Sequence, residues 1–252
     1  MLYCNETAET IAQHQLAISV IIPTWNEADN IEKAISEIIK TLESNKISYE
    51  IIVADDNSKD GTKEKVASIR DKQHKPIALL NRDPPPGFGY SIRDAIRMAN
   101  GEMSVVMMAD LSDDPKFLPE MKQKFDEGCD VIVGSRFVPG AKTYDYPFLK
   151  MLSNRLFNTT IRIFFWTSIR DTSNAFKAFR TAEINQVPID SRGFEVSAEM
   201  MLRMLIKKKK ICEIPVTWTD RTAGQAKFKL YNTFINYFIL FLKMLKLRYL
   251  GK

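Results

Sequence analysis

The sequence predicts an α/β protein built on an open, mostly parallel sheet with helices on both faces. Three observations predict it. Short β-branched apolar runs alternate with stretches of helical periodicity. An apolar share of 45% over 252 residues is ample for a buried core. Two apolar runs end in acidic turns, Asp55-Asp56-Asn57-Ser58-Lys59-Asp60-Gly61-Thr62 and Ala109-Asp110-Leu111-Ser112-Asp113-Asp114-Pro115. Open α/β sheets bind their ligands beyond the carboxyl ends of strands, where these acids stand.

The elements follow in order. Residues 1–16 carry little pattern and read as an N-terminal arm. Ala17–Pro23 is a buried strand. A helix follows from about Asp29, with Ile31, Ala34, Ile35, Ile38, Ile39 and Leu42 on one face. Tyr49–Ala54 is the second strand, Lys63–Asp71 a helix, Ile77–Asn81 the third strand. Pro84-Pro85-Pro86 stiffens the next loop, and Gly87 and Gly89 free it. A helix over Tyr90–Ala99 leads to the strand Met103–Met108. Pro115 opens a helix over Lys116–Glu127, and Asp130–Ser135 is a strand. Then come an aromatic-rich helix over Phe148–Trp166, a strand over Ala175–Arg180, a helix over Phe194–Ile206, a strand over Ile211–Trp218, and a helical tail over 229–247. Residues 17–228 form one domain, and 229–252 an appended amphipathic helix.

Composition excludes several classes. The net charge of +5 is modest, but Lys207–Lys210 and the tail residues Lys243, Lys246, Arg248 and Lys252 cluster. Such clusters suit anionic surfaces or simple solvation. They lack interleaved aromatics, so nucleic acid is not an expected partner. Cys4, Cys129 and Cys212 suggest neither a disulfide framework nor a zinc spacing, and a reducing compartment fits them. His14 and His74 are the only histidines, which argues against a His-rich metal site or a Ser-His-Asp centre. No run reaches the roughly 18 apolar residues of a spanning helix. The turn after the first strand, Thr24-Trp25-Asn26-Glu27, has no glycine for a dinucleotide fingerprint.

The motifs VIIPTWNEADNIEKAI, VADDNSKDGT, GFGYSIRDAI, MADLSDDP, VGSRF, DTSNAFKAFR and VTWTDRTAGQAKFK occur in this order. Together they resemble the inverting family 2 glycosyltransferases of the GT-A (Rossmann-like) fold, and within it the dolichyl-phosphate mannosyltransferase-like branch. The resemblance runs from about Ile18 to Lys229. It implies transfer of a sugar from a nucleoside diphosphate to a polyprenyl phosphate. A saccharide or protein acceptor is the alternative, as is a non-catalytic sugar-nucleotide-binding protein.

The resemblance also implies site residues. Pro23, Trp25 and Glu27 match the turn that frames base and ribose. Asp55 and Asp56 match carboxylates that accept from the base, uracil or guanine alike; their other reading is a turn. Gly87 and Gly89 suggest a lid over a diphosphate, or a plain flexible turn. Asp110 matches the last acid of the Asp-x-Asp metal motif, which implies Mg²⁺ or Mn²⁺. Met108 replaces the first acid and cannot bind a hard cation well. Asp113 or Ser112 would then complete the set, or the metal is weak or absent. Arg136, Arg155, Arg221 and Lys229 are candidates for the lipid phosphate, with Asp110, Arg136 and Arg221 nearest the chemistry; for Arg155, on a mostly apolar helix, a membrane-facing or surface placement is the alternative. Ala226 stands where serine is usual. Glu199 falls where the family carries a helix carboxylate, as substrate orienter or surface acid.

Leu230–Leu242 is apolar, interrupted by Asn232 and Asn236, and followed by basic residues. That pattern fits a helix in a membrane interface or one packed on the core. The expected placement is peripheral, on the cytosolic face of a membrane, directly or through an anchoring partner.

Overall fold

The computed structural model describes residues 16–220 and 230–251. A seven-stranded sheet has the order β3-β2-β1-β4-β7-β5-β8. Its strands are β1 (Ile18–Thr24), β2 (Tyr49–Asp55), β3 (Ile77–Asn81), β4 (Met103–Val106), β5 (Val131–Ser135), β7 (Lys177–Arg180) and β8 (Ile211–Pro215). A separate parallel pair joins β6 (Lys142–Tyr144) to β9 (Thr217–Thr219). The helices are α1 (Ile31–Ser44), α2 (Thr62–Gln73), α3 (Phe88–Met98), α4 (Leu118–Asp126), α5 (Phe148–Phe165), α6 (Thr181–Ile184), α7 (Val196–Ile206) and α8 (Leu230–Leu250).

Every residue of β1 is buried, as a strand covered on both faces requires. Its side chains alternate between two cores. Val20 and Ile22 join the core shared with α1, α2 and α4, while Ile21 joins the one shared with α3, α5, α7 and α8. The predicted stripe of α1 is buried throughout. In register, β1 pairs with β2 on one side and β4 on the other. Chain order reverses at β1, so a crevice opens past Thr24 and Val106.

Three differences from expectation shape that crevice. β7 runs antiparallel between β4 and β5. Its entry turn, Asp171–Phe176, therefore lies over the carboxyl ends of both. The strand expected over Ile211–Trp218 breaks after Pro215, and β9 leaves to join β6. β6 and α6, at three and four residues, were too short to show a period.

The expectation of no disulfide is corrected: Cys129 and Cys212 are bonded across 83 residues. Register explains it, because β5 lies beside β8 with Ile132 opposite Cys212, and Cys129 just precedes β5. With this bond formed, the cysteines no longer favour a reducing compartment.

The tail is helical, and it packs as well as exposes. Leu240 and Met244 are buried in the second core, while Phe234, Phe238, Ile239 and Leu242 face outward. No helix of the described residues is long and apolar enough to cross a membrane.

Candidate active site

A cavity of about 1020 Å³ fills the crevice. Its wall combines Pro23 near the end of β1, Trp25 and Glu27 after it, Asp56 after β2, Gly87 before α3, and Asp110, Ser112 and Asp113 after β4. Arg136 follows β5, and Trp218 sits on β9. Pro147, Leu149 and Lys150 begin α5, and Ile235, Asn236 and Tyr237 come from α8. Residues far apart in sequence meet because strand ends converge there.

The two adjacent acids of the first turn part ways. Asp55 ends β2, is fully buried, and does not line the cavity. Its Oδ1 accepts from the Ser58 N–H at 2.8 Å, and its Oδ2 from Thr24 Oγ1 at 3.0 Å and Ser58 Oγ at 2.6 Å. It ties the turn together, with its oxygens engaged by Thr24 and Ser58. Asp56 does face the cavity. Arg82 Nη1 donates to its Oδ1 at 2.7 Å, and the Gly87 N–H donates to its Oδ2 at 2.8 Å. Arg82 also pairs with Asp94 at 3.0 Å.

Glu27 is buried at the back of the wall. Its Oε2 accepts from Asn30 Nδ2 at 2.8 Å and its N–H donates to Thr62 Oγ1 at 3.0 Å, so it also opens α1. Trp25 stands half-exposed at the rim.

Gly87 and Gly89 owe their identity to packing. A Cβ on Gly89 would lie 2.1 Å from the Ser191 carbonyl oxygen, and one on Gly87 2.7 Å from Arg192 Cγ. The Gly89 N–H donates to the Arg192 carbonyl at 2.8 Å. Gly87 lines the cavity and Gly89 does not. Glu199, read as substrate orienter or surface acid, is fully buried. Its Oε2 accepts from the N–H groups of Asp190 and Ser191, and Arg203 Nε binds its Oε1 at 2.9 Å.

Among the acids after β4, Asp110 is partly exposed on the cavity wall and accepts from the Ser112 N–H at 3.0 Å. Asp113 lines the same wall but is 1% exposed, and its Oδ1 accepts from Asn174 Nδ2 at 3.1 Å. Burial pushes its carboxyl up to about 7, against the Asn174 hydrogen bond and the Arg136 charge. Among the described residues no three acids, histidines or cysteines gather as a metal cluster.

Arg136 and Asp171 form a bidentate pair, 2.7 Å from Nε to Oδ2 and 2.9 Å from Nη2 to Oδ1. Burial would raise the Asp171 carboxyl, but Arg136 and its hydrogen bonds hold it below the usual carboxylate range. Tyr146 and Trp218 stack 4.5 Å apart between two cations. Arg136 lies 5.5 and 5.8 Å from their centroids, and Lys150 lies 5.8 and 4.8 Å. Lys150 also pairs with Asp220 at 3.1 Å. Arg155 does not reach the cavity. It is exposed on α5, with its guanidinium 5.3 Å from the Phe137 ring. Arg221 and Lys229 lie outside the described residues.

Sequence reasoning missed Arg82, Lys150 and Lys177. An arginine directly after the third strand was the available signal for Arg82. Lys150 had only its place in the first turn of an aromatic helix.

The family model for glycosyl transferase family 2 matches residues 19–186. The chain belongs to that family. Among curated relatives, the dolichol-phosphate mannosyltransferase of Pyrococcus furiosus is 32% identical over 216 residues, covering 85% of this chain and 60% of that protein. The polyprenol monophosphomannose synthase of Mycolicibacterium smegmatis is 26% identical over 214 residues, covering 82% of this chain and 79% of that protein. This family 2 chain thus spans less than two thirds of the Pyrococcus relative. A glucosyl-3-phosphoglycerate synthase from Mycobacterium tuberculosis, solved with Mn²⁺, UDP and phosphoglyceric acid, superposes with a TM-score of 0.68 at 16% identity. The match covers 97% of this chain and 84% of that chain, and it shows the shared GT-A-like fold.

Proposed function

We propose that this chain transfers a sugar, with inversion, from a nucleoside diphosphate sugar to a polyprenyl phosphate at a membrane surface. The observation that carries the reading is the charge lining this cavity. The carboxylates of Asp56 and Asp110 line it together with Arg136 and Lys150, the two cations beside the Tyr146–Trp218 pair. The relatives named for dolichol-phosphate and polyprenol chemistry support it.

In this reading Pro23, Trp25, Glu27 and Asp56 receive the nucleoside, and Gly87 lies beside them. Arg136 and Lys150 receive the acceptor phosphate, with Arg221 and Lys229 assigned there by the resemblance alone. A phosphate monoester is already ionised near neutral pH and needs no base. One of its oxygens attacks the anomeric carbon as the bond to the diphosphate oxygen breaks on the opposite face. A single displacement inverts the centre. The protein's contribution is positioning and charge.

The donor set fits a divalent cation carried in with the diphosphate. Magnesium-type sites take one or two carboxylates plus substrate phosphates, and Asp110 offers one. When bound, Mg²⁺ or Mn²⁺ supplies charge neutralisation for the leaving diphosphate. Asp113, engaged by Asn174, is left to shape the wall.

The lipid character of the acceptor rests on α5 and α8. These helices pack through edge-on pairs of Phe157 with Tyr237 and Phe164 with Phe241. Leu149, Leu152, Leu156 and Ile163 on α5, and Phe234, Phe238, Ile239 and Leu242 on α8, remain exposed. Both helices also line the cavity. Apolar patches of this kind mark membrane or protein contacts, and this one suits a membrane surface.

Incubation with radiolabelled nucleotide sugars and short polyprenyl phosphates tests the reading. A lipid-extractable labelled product is expected. Label appearing only in water-soluble acceptors would overturn it.

A further inference from the structure

Arg136 meets the cavity through one end. Its backbone N–H donates to Asp171 Oδ2 at 3.0 Å, and its Nε donates to the same oxygen. Its Nη2 donates to Asp171 Oδ1 and, at 3.0 Å, to Ser173 Oγ. Among the described residues Nη1 makes no such bond, while Arg136 itself lines the cavity. Asp171 does not line it and is 0% exposed. A carboxylate sealed behind an arginine acts on whatever that arginine binds.

The turn holding Asp171 is fastened on every side. The Thr172 N–H and Oγ1 both donate to Asn158 Oδ1 on α5, at 2.7 and 2.6 Å. The Asn174 N–H donates to Asp171 Oδ1 at 3.1 Å, and the Asp171 N–H to Glu213 Oε1 at 3.1 Å on β8. Beneath it the fully buried Lys177 Nζ donates to the Thr172 carbonyl at 3.2 Å, to the Asn174 carbonyl, and to Ser197 Oγ at 2.8 Å. Two elements of the second core and two strands thus fix one carboxylate. That carboxylate in turn fixes the guanidinium plane.

We propose that Asp171, assisted by Ser173, is a positioning residue that presents Arg136 Nη1 to the phosphate monoester of the acceptor. Resting on the assignment of Arg136 to that phosphate above, the inference adds why the guanidinium needs no reorganisation on binding. An unrestrained arginine loses rotamer freedom when it grips an anion. One already held in a fork geometry loses little. The buried pair is then a device for affinity, beyond any share in stability.

The test measures binding to the full chain by calorimetry. The probes are farnesyl phosphate in detergent, inorganic phosphate, and whichever of UDP and GDP the wild type binds. The variants are Asp171→Asn and Ser173→Ala. The expected result is a loss of about tenfold or more in farnesyl phosphate affinity for Asp171→Asn, and a smaller loss for Ser173→Ala, as for loss of a charge-assisted contact. Nucleoside diphosphate affinity should stay within about twofold of wild type. If Asp171→Asn does not fold, Ser173→Ala alone carries the comparison.

Unchanged farnesyl phosphate affinity in a folded variant overturns the positioning role and leaves the lipid-acceptor reading standing. Parallel loss of nucleotide and phosphate affinity also overturns it, as the signature of general damage. Wild type binding inorganic phosphate but not farnesyl phosphate, with the variants weakened, keeps the positioning role and removes the lipid acceptor. Wild type binding neither removes both.

Discussion

Asp113→Asn should stabilise this protein, and by an amount that depends on pH. The wild-type carboxyl is 1% exposed and its pKa is pushed up to about 7 from an ordinary 3.8. Between those values the folded state holds a proton that the unfolded chain has released. Stability contributed by this group therefore falls as pH rises from about 4 to about 7, and is flat beyond. At about 1.36 kcal/mol per unit the whole span is on the order of 4 kcal/mol. Asparagine keeps an oxygen to accept from Asn174 Nδ2 and carries no charge to bury. The stability difference between variant and wild type should be near zero at pH 4 and on the order of 4 kcal/mol at pH 8. Lys177, whose ammonium burial lowers to about 7, gains stability as pH rises from 7 toward 10.5; the Asp113 charge favours that ammonium, so the variant shifts its titration too and the slope between pH 4 and 7 is the cleaner readout. Urea unfolding across this pH range measures the difference. A pH-independent difference would refute the reasoning. The same variant should keep divalent-dependent activity, whereas Asp110→Asn should lose most of it. Equal loss in both would return Asp113 to the metal.

Asp56→Asn should weaken nucleoside diphosphate binding about tenfold, as for loss of a charged hydrogen bond, with turnover of bound donor little changed; unaltered calorimetric affinity would remove Asp56 from the base. Paired substitution of the exposed Leu152 and Phe238 by glutamate should cut co-sedimentation with anionic vesicles by about tenfold or more, with donor binding intact; equal sedimentation would place the membrane contact elsewhere. Deleting α8 is a poorer test, because Leu240 and Met244 are core residues and Lys243 pairs with Asp190 at 2.7 Å. Reducing the Cys129–Cys212 bond, which closes 83 residues, should remove roughly 2–4 kcal/mol of stability and lower the melting temperature by about 10 °C. An unshifted melting curve under reductant would contradict that.

Local pattern determined much about this protein. Apolar runs and helical stripes marked the main strands and helices, because burial writes its period into neighbouring residues. The order of motifs pointed to family 2 and to the strand ends where Asp56, Asp110 and Arg136 now line one cavity. Tertiary structure alone decided which way each polar group faces. Asp55 and Asp56 are adjacent and alike, yet alternation along the chain end turns one inward to Ser58 and the other to the cavity. Gly89 is glycine because Ser191, over a hundred residues away, lies against it. Cys129 finds Cys212, and Arg136 finds Asp171, through strand neighbours set by crossovers and by the reversed β7. A sequence records each residue's chemistry and its near neighbours. The partners that satisfy a buried charge come from elsewhere in the chain, and only the fold selects them.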